Sequence, residues 1–397
     1  MSQIKKPHIL FLFSDTGGGH RSAAEAIIEA IQLEYGDVVT TEMVDFFKSH
    51  APLPLSKMPD WYPDMVKAPH LWGLSFKISD GRRRARAITT SMWPYVGRAV
   101  RRMVKEHPAD LIVTVHPLAT TVFLKALGRY RSPFIIVVTD MVSTHALWYD
   151  QRADLILVPT EDARQRAIEY EMDPQQVRVV GQPVAERYCV PAGDKAALRE
   201  KLGWEQDKTI ALLVGGGDGM GPLGKTAREI ATSGLDVVLV IVAGRNRRLK
   251  EHLEALEWPV PVHIYGFTHE LPDFMRAADV LVTKAGPGTI AESLNASLPI
   301  ILYAKLPGQE DGNVTFVVDE KVGVWAPQPK QVVQTLREWI QKPEVRLGYV
   351  ENCRRAARPD ASRQIARAIG ETLELLPESV IVEERRTSVR LENDSLN

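Results

Sequence analysis

The sequence predicts an α/β protein with two doubly wound domains, each built on a parallel sheet covered by helices. Three observations lead to this class. Apolar β-branched runs alternate with helical patterns, these runs form two series, and 397 residues exceed one ordinary core. Runs rich in Val, Ile and Leu indicate strands buried on both faces, as in parallel sheets. At about 100–200 residues per domain, the length also favours two domains.

The predicted strands divide into two series, and the break between them lies at Gly181-Gln182-Pro183, where Gly and Pro favour a hinge. We therefore expect a first domain over residues 1–185, a second over 190–358, and a disordered polar tail over 377–397. The strands of the first series are His8–Phe13, Asp110–Val115, Phe134–Thr139 and Leu155–Val158. Those of the second are Thr209–Val214, Asp236–Val242, Val262–Tyr265, Val280–Thr283 and Ile300–Tyr303.

Composition excludes several classes of protein. A net charge of −1 gives no argument for nucleic acid, and two cysteines rule out a disulfide framework and fit a reducing cytoplasm. The early apolar run HILFLF is shorter than a signal-peptide core, and a buried first strand explains it better. No run approaches the roughly 20 apolar residues of a transmembrane helix. We expect a cytoplasmic protein that meets a membrane only at its surface.

The stretch Lys48–His107 departs from this neutral average. It holds 12 Lys and Arg against 4 Asp and Glu, a local net charge of +8. Basic and aromatic residues together predict contact with an anionic surface such as a membrane. The alternative is a basic helix solvated on one side, with its aromatic residues in the core. The residues proposed for membrane contact are Trp61, Trp72, Trp93, Arg82, Arg83 and Arg84.

A glycine-rich segment follows the first strand of the second series and reads GGGDGMGPLGKT. Its last eight residues match the phosphate-binding loop of nucleotide hydrolases. A true loop of that kind would start at the strand end and would not contain Pro222, which lacks a backbone N–H. We favour a turn whose glycines, Gly215, Gly216 and Gly217, let the backbone approach a ligand closely. A plain glycine-rich turn with a solvated Lys225 stays open.

A second glycine motif, GPGTIA, follows the strand that ends at Thr283. Its spacing matches a dinucleotide fingerprint, but that fingerprint normally opens the first βαβ unit of a chain. Gly286 and Gly288 permit a tight turn, and the N–H groups of Gly288 and Thr289 open a helix whose positive end suits a diphosphate. Glu292, one turn further, could accept hydrogen bonds from ribose hydroxyls. Stabilisation of the helix dipole is its alternative role.

Polar residues after other strands complete the candidate site, because ligands of open α/β sheets bind beyond the carboxyl ends of the strands. The loop LPGQEDGN offers Gln309, Glu310 and Asn313 for sugar hydroxyls, although it could be an ordinary polar loop. At the end of the first strand, SDTGGGHRSAAEAI places His20 at a helix start beside Gly18 and Gly19. His20 could act as a general base or merely cap the helix.

The run VVTDMVSTHALWY supplies Asp140, His145 and Trp148, which we expect to orient or bind rather than react. Asp15 and His116 are further candidates of the same kind. The sequence contains neither D-x-D nor G-x-S-x-G, and no His, Cys or Asp cluster has metal spacing. The motifs therefore predict neither a metal site nor a serine nucleophile.

Five of these stretches, in this order, resemble the monogalactosyldiacylglycerol synthases and bacterial diacylglycerol glycosyltransferases. They are SDTGGGHRSAAEAI, VVTDMVSTHALWY, LLVGGGDGMGPL, TKAGPGTIAESL and LPGQEDGN. The chain is more distantly similar to the peptidoglycan lipid-intermediate transferase that uses UDP-N-acetylglucosamine. The resemblance covers about Pro7 to Leu375. It implies a GT-B fold: two facing Rossmann-like domains, acceptor in the first and UDP-sugar in the second, with a final helix at 361–375 that returns to the first domain.

The resemblance also implies an inverting, metal-independent transfer of a hexose from UDP-galactose or UDP-glucose to diacylglycerol or another lipid. His20 would be the base, Gly288 and Thr289 would meet the diphosphate, and Phe267 would hold the uracil. Gly18, Gly19, His145 and Trp148 would lie on the acceptor side. Glu292 would bind the ribose, while Gln309, Glu310 and Asn313 would bind the sugar. No cofactor is implied. Two alternatives remain: an enzyme like UDP-N-acetylglucosamine 2-epimerase, and a non-catalytic UDP-sugar-binding protein.

Overall fold

The computed structural model describes residues 6–375, except Gly17, Val66, Lys67, Tyr130, Ala192, Asp218 and Met220. The tail expected at 377–397 lies outside the described residues. The chain forms two six-stranded sheets whose neighbouring strands are all parallel, with helices packed on their faces. The predicted α/β class with two Rossmann-like units is confirmed.

The first sheet, with its helices, is called the first domain below. Its strands are β1 (His8–Phe13), β2 (Thr40–Asp45), β3 (Leu111–Thr114), β4 (Phe134–Val137), β5 (Leu155–Val158) and β6 (Val177–Val179). They lie in the order β2-β1-β3-β4-β5-β6. Its helices are α1 (Gly19–Tyr35), α2 (Phe46–Ser49), α3 (Met58–Met65), α4 (Pro69–Ser79), α5 (Arg82–Glu106), α6 (Pro117–Leu127) and α7 (Glu161–Glu169).

The second sheet and its helices form the second domain. Its strands are β7 (Thr209–Val214), β8 (Val237–Val242), β9 (Val262–Tyr265), β10 (Val280–Lys284), β11 (Ile300–Ala304) and β12 (Gly323–Trp325), in the order β12-β11-β10-β7-β8-β9. The remaining helices are α8 (Lys195–Leu202), α9 (Leu223–Ala231), α10 (Arg247–Glu254), α11 (Leu271–Ala277), α12 (Pro287–Asn295), α13 (Asp311–Asp319), α14 (Pro329–Gln341), α15 (Pro343–Ala356) and α16 (Ala361–Thr372).

All strands expected from the sequence are present, with ends that differ by at most two residues. Sequence reasoning missed β2, β6 and β12, and each of these lies at the edge of its sheet. An edge strand is covered less completely than a central one, so it lacks the continuous apolar run by which we identified the others. In β2, for example, only Val44 is fully buried.

The last helix, α16, packs on α1 of the first domain, as expected. Ile365 and Ile369 are buried against Ile27 and Ile31, and such burial contributes about 1.5–3 kcal/mol per side chain. At the edge of this contact, the guanidinium groups of Arg363 and Arg367 pair with the carboxylate of Glu34 at 3.2 and 2.9 Å. The first and the last elements of the described residues, β1 and α16, therefore belong to the same domain.

The order of the strands reverses beside β1 in the first sheet and beside β7 in the second. Such switch points leave a crevice outside the carboxyl ends of the strands, and ligands of open α/β sheets bind there. The motifs that follow β1, β7 and β10 therefore meet at one place between the domains.

Candidate active site

A cleft of about 970 Å³ lies between the two domains at the carboxyl ends of their strands. Its walls include most of the residues that were proposed for catalysis, for the donor or, in the case of Gly18 and Gly19, for the acceptor. These are Gly18, Gly19, His20 and Asp140 from the first domain, and Gly216, Gly217, Phe267, Gly286, Gly288, Thr289, Glu292, Gln309 and Glu310 from the second. Gly215 and Asn313 do not belong to the walls.

His20 lies in the first turn of α1, just beyond β1, where Gly18 caps the helix with a φ of 80°. Its Nδ1 lies 3.0 Å from the hydroxyl oxygen of Thr139, and its ring meets that of His116 edge to face at 4.6 Å. Burial lowers the pKa of His20, while the nearby charge of Asp140 and a hydrogen bond to the Val115 backbone act in the opposite direction. The imidazole is therefore held neutral and oriented at the wall of the cleft.

Asp140 connects the two domains through its carboxylate. One oxygen accepts a hydrogen bond from the indole N–H of Trp148 at 2.7 Å, and the other accepts from the side-chain amide of Gln309 at 3.0 Å. Asp140 is 6% exposed; its bond to Trp148 is buried, and its bond to Gln309 is partly buried at the cleft. The carboxylate is thereby fixed close to His20.

Two residues of the same loop do not have the role that the sequence suggested. Trp148 and His145 were expected to meet the acceptor, but both are buried and neither lines the cleft. Trp148 instead holds Asp140, and the His145 ring lies between the hydroxyl of Ser79, at 3.0 Å from Nε2, and the backbone N–H of Leu147, which donates to Nδ1. Both rings are buried behind the cleft wall. They therefore support the wall from within and are not part of its surface.

The glycine turn after β7 is packed tightly against its neighbours. Gly216 has a φ of 72°, and a Cβ on Gly244 of the facing turn would lie 2.4 Å from the carbonyl oxygen of Gly217. Glycine is thus required at this contact, because any side chain there would collide with backbone. The turn presents Gly216 and Gly217 to the cleft, whereas Gly215 stays behind them.

The start of α12 faces the same part of the cleft. Gly286 caps this helix, and Gly288 and Thr289 lie in its first turn, where backbone N–H groups have no acceptor within the helix. Lys284, which ends β10, brings its ammonium group near this turn: a Cβ on Gly286 would lie 3.0 Å from Nζ. A helix amino terminus beside an ammonium group is a favourable place for a phosphate.

Glu292 lies one turn into α12 and lines the cleft. Burial raises the pKa of its carboxyl to about 7, and the charge of Arg187 lowers it only in part. A carboxyl group with that pKa titrates near neutral pH. Its charge therefore depends on pH and on whether a bound ligand donates hydrogen bonds to it.

The polar loop after β11 is built differently from the expectation. Glu310 is 3% exposed, and its two oxygens accept from the Lys284 ammonium at 2.6 Å and from the Leu306 backbone at 2.7 Å. Asn313 is buried below the wall, where its amide donates to the Ala285 carbonyl at 2.8 Å. Only Gln309 of the three extends its side chain across the cleft. Glu310 and Asn313 hold the loop. Because Asn313 is buried and does not line the cleft, its side chain is not placed for the direct contact with a sugar that we expected.

Sequence reasoning missed the cations of the cleft wall, which are Arg21, Lys48, Arg187, Arg245 and Lys284. Lys284 and Arg245 belong to the second domain. The Arg245 guanidinium lies 5.9 Å from the centre of the Phe267 ring, and its Nη2 would lie 3.2 Å from a Cβ on Gly18 of the other domain. Lys284 ends β10 and Arg245 comes three residues after the end of β8, so the positional signal that identified the other candidates applies to them as well. In TKAGPG only the glycines were singled out from the sequence, and the stretch around Arg245 was not singled out.

The residues proposed for membrane contact lie outside the cleft. Trp61 is half exposed, whereas Trp72 and Trp93 are partly buried. Trp93 contacts two cations of its own domain, the guanidinium of Arg101 at 5.2 Å and the ammonium of Lys125 at 4.6 Å. The arginines at the start of α5 are exposed: Arg82, Arg83 and Arg84. Within the described residues, no helix is both long enough and apolar enough to cross a bilayer.

One possible metal-binding group lies elsewhere in the described part of the chain. His50, Glu106 and His107 bring donor atoms within 4.8 Å of one another, a convergence that their sequence positions did not reveal. The side chains are paired among themselves and their neighbours, with His50 Nε2 at 2.9 Å from Glu106 and His107 Nδ1 at 2.8 Å from Glu42. None of the three lines the cleft.

Known proteins share both halves of this architecture. A family model described as monogalactosyldiacylglycerol synthase matches residues 20–184, and one described as the glycosyltransferase family 28 C-terminal domain matches residues 211–364. The chain is similar to monogalactosyldiacylglycerol synthase 2 of Arabidopsis thaliana, with 36% identity over 379 residues, covering 92% of this chain and 81% of the relative. The Spinacia oleracea synthase is 34% identical, with 91% and 72% covered.

Solved structures show the same fold at greater distance. The UDP complex of MnaA from S. aureus has a TM-score of 0.61 and 16% identity, with 93% of this chain and 98% of that chain covered. MurG of Acinetobacter baumannii has a TM-score of 0.60 and 15% identity, with 92% and 99% covered. These likenesses establish the predicted GT-B arrangement, and the closer sequence matches establish more: the chain belongs to the monogalactosyldiacylglycerol synthase family of glycosyltransferases.

Proposed function

We propose that this protein transfers a hexosyl group from a UDP-sugar to diacylglycerol with inversion, so that a UDP-α-sugar gives a β-glycosyl lipid. The observation that supports this most is the composition of the cleft. A neutral imidazole, His20, stands on one wall, and the opposite wall holds a helix amino terminus with Lys284 and Arg245. A base on one side and positive groups for a leaving diphosphate on the other are what such a transfer requires. The names of the relatives favour galactose.

His20 acts in this proposal as the base. It removes the proton of the acceptor hydroxyl while that oxygen attacks C1 of the sugar from the face opposite UDP. The bond from C1 to the diphosphate oxygen breaks, and UDP leaves. Because burial lowers the pKa of His20, the imidazole is neutral before the reaction, and the adjacent Asp140 carboxylate stabilises it once it is protonated.

The second domain takes up the negative charge that develops on the leaving group. The first-turn N–H groups of α12, the Gly216–Gly217 turn, and the cations Lys284 and Arg245 are positioned for the diphosphate. These are fixed dipoles and charges, so they need little rearrangement as the bond breaks. This arrangement supports a reaction that needs no divalent metal.

Three further residues are proposed to recognise the donor. Phe267 is 59% exposed at the cleft wall and offers a ring on which uracil can stack. Glu292 accepts hydrogen bonds from the ribose hydroxyls, and Gln309 contacts the hexose, since its amide lies between Asp140 and the cleft. Glu310 contributes indirectly through Lys284.

The acceptor resides in a bilayer, so the enzyme must work at a membrane surface. We propose peripheral association on the cytoplasmic side, through the stretch Lys48–His107, which we call the basic segment and which includes α5. Each Lys or Arg near an anionic surface contributes about 1 kcal/mol of attraction. The exposed arginines at the start of α5 are placed for this contact.

The decisive assay crosses radiolabelled UDP-galactose and UDP-glucose with diacylglycerol in vesicles, with and without EDTA. We expect labelled β-glycosyl diacylglycerol and stoichiometric UDP, with turnover unchanged by the chelator. Epimerisation of a UDP-sugar without any acceptor would instead indicate the 2-epimerase alternative. Tight UDP-sugar binding without UDP release in the presence of lipid would indicate a binding protein. Either outcome would contradict the proposed transfer.

A further inference from the structure

Helix α4 has an apolar face that no part of the described chain covers. Leu71, Leu74 and Ile78 are 69%, 56% and 59% exposed, which is unusual for large aliphatic side chains in one group. Their spacing of three and four residues places them on one side of the helix. We call these three residues the α4 stripe. Of the tryptophans singled out in the sequence, Trp61 is also exposed, at 50%, whereas Trp72 and Trp93 are partly buried.

The charges beside the α4 stripe indicate what it contacts. Helix α5 begins three residues after α4 ends, and its first turns carry the exposed residues Arg82, Arg83, Arg84 and Arg86. Aliphatic side chains that enter an interface and cations that meet its headgroups are together the features of a helix that lies on an anionic bilayer. A protein partner would not require this pairing.

The opposite face of α4 packs on the second domain. Gly73 touches Pro307 so closely that a Cβ on the glycine would lie 2.7 Å from the Pro307 Cβ. One turn further, the Phe76 ring covers Gly308, whose φ is 84° and where an added Cβ would lie 2.9 Å from the ring. The helix therefore rests on the turn Leu306–Glu310 through two contacts that have no spare room.

That turn carries groups of the candidate active site. Gln309 follows Gly308 directly and donates to Asp140 across the cleft at 3.0 Å. Glu310 pairs with Lys284, the ammonium group near the start of α12. A shift of the turn would therefore change both the bridge to Asp140 and the position of a cation proposed for the diphosphate.

The carboxyl end of α4 is held in place. Asp80, which caps the helix, accepts hydrogen bonds from the Ala146 backbone at 2.9 Å, from Arg166 at 2.5 Å and from the Tyr170 hydroxyl at 2.9 Å. The Phe76 ring also meets the His145 ring edge to face at 5.0 Å. A helix fixed at one end and packed along its inner face transmits a displacement of its outer face to the turn beneath it.

We propose that α4 couples membrane contact to donor binding: insertion of the α4 stripe into an anionic lipid surface sets the position of the Leu306–Glu310 turn, through Gly73 and Phe76. Phe76 is then a positioning residue, which acts on the donor through Gln309. This inference rests on the proposed function for the identity of the donor. It concerns binding alone, so it can be tested without turnover.

The test measures UDP binding by calorimetry with phosphatidylcholine vesicles that contain or lack phosphatidylglycerol. For the unaltered protein we expect anionic vesicles to tighten UDP binding about fivefold or more, as typical couplings between sites do. Leu71→Ser/Leu74→Ser/Ile78→Ser should lose vesicle binding and the tightening together. Phe76→Ala should bind vesicles normally and yet lose the tightening. Leu347→Ser, at an equally exposed apolar position of α15, is the matched control and should change neither.

Equal UDP affinity with and without anionic vesicles would overturn the coupling, and so would full tightening in Phe76→Ala. If Phe76→Ala is unfolded by circular dichroism, Phe76→Leu, which keeps apolar volume but not the ring, serves in its place. Self-association that the serine variant abolishes, without vesicle binding, would assign the α4 stripe to a second copy of the chain and overturn the proposal. Failure of the proposed function shows separately, as a lack of glycolipid product in a protein whose UDP binding still responds to vesicles.

Discussion

The side-chain amide of Gln309 donates a hydrogen bond to the Asp140 carboxylate across the cleft, over 3.0 Å. The two residues are separated by 169 positions and belong to different domains. Because the other Asp140 oxygen is held by Trp148, the bond joins a fixed point of the first domain to the loop proposed for the sugar. The loop proposed for the sugar is thereby tied to the first domain at this contact.

Replacement of Gln309 should show how much this contact matters. Gln309→Ala removes a bridge to a buried carboxylate, and hydrogen bonds to charged groups contribute about 1.5–3 kcal/mol. We expect kcat/KM for the UDP-sugar to fall about 10- to 100-fold, which is measured by UDP release. Gln341→Ala, on the exposed end of α14, is the control. An unchanged kcat/KM in Gln309→Ala would remove the bridge from the account of activity.

The role of His20 makes the sharpest prediction about turnover. General base catalysis typically gives about 10²–10⁴-fold, so His20→Ala should lower kcat by that factor while UDP affinity stays within about twofold. We expect kcat to fall without a change in UDP affinity because the imidazole lies on the wall opposite the groups proposed to bind the diphosphate. His252→Ala, an exposed histidine on α10, should behave like the unaltered protein. Full activity in a folded His20→Ala would show that another group is the base.

Glu292 should make UDP binding depend on pH. The pKa of its carboxyl is about 7 in the unliganded protein, and ribose hydroxyls that donate to the carboxylate would favour the ionised form. Binding then releases a proton, so the Kd for UDP should rise as pH falls below about 7, by up to about tenfold per pH unit. Calorimetric titrations over this range measure it.

Glu292→Gln provides the comparison, since the amide has no proton to release. Ionisation of UDP itself affects both proteins equally, so the difference between their pH profiles isolates the carboxyl. If the two profiles run parallel, Glu292 does not bind the ribose as a carboxylate.

The arginines at the start of α5 should account for part of the membrane affinity. Arg82→Gln/Arg83→Gln/Arg84→Gln removes three charges, which at about 1 kcal/mol each corresponds to a loss of about two orders of magnitude in binding to anionic vesicles. Sedimentation with vesicles at several salt concentrations tests this, and the salt dependence should decrease with the charge. Arg337→Gln/Arg354→Gln/Arg355→Gln, at exposed positions of α14 and α15, removes the same number of charges and is the control. Equal binding by both variants would place the contact elsewhere.

The sequence predicted every central strand but, of the four edge strands, only β9. A strand such as β8 is buried on both faces and reads as an unbroken apolar run, whereas β12 is covered only in part and reads like a loop. The reversal of strand order beside β7 depends on which strands pair. Pairing is a long-range property that local pattern does not contain.

The candidate site shows the same division. Position after a strand identified His20 and Gly288 correctly as residues of the cleft wall. It could not show which way a side chain points. Asn313 in α13 is buried and donates to the Ala285 carbonyl, whereas Gln309, two positions before that helix, faces the cleft. The contribution of Trp148 was equally hidden, because it acts through Asp140.

The return of α16 means that the polypeptide passes between the two bodies twice, and the two passes touch. A Cβ on Gly181 would lie 2.8 Å from the Ala361 Cβ, and the Ser362 hydroxyl donates to the Val184 carbonyl at 2.7 Å while it accepts from the Val184 N–H at 3.1 Å. Because the two passes are in contact, any change in the angle between the domains has to bend both of them at this point, which makes the crossing one joint instead of two independent linkers.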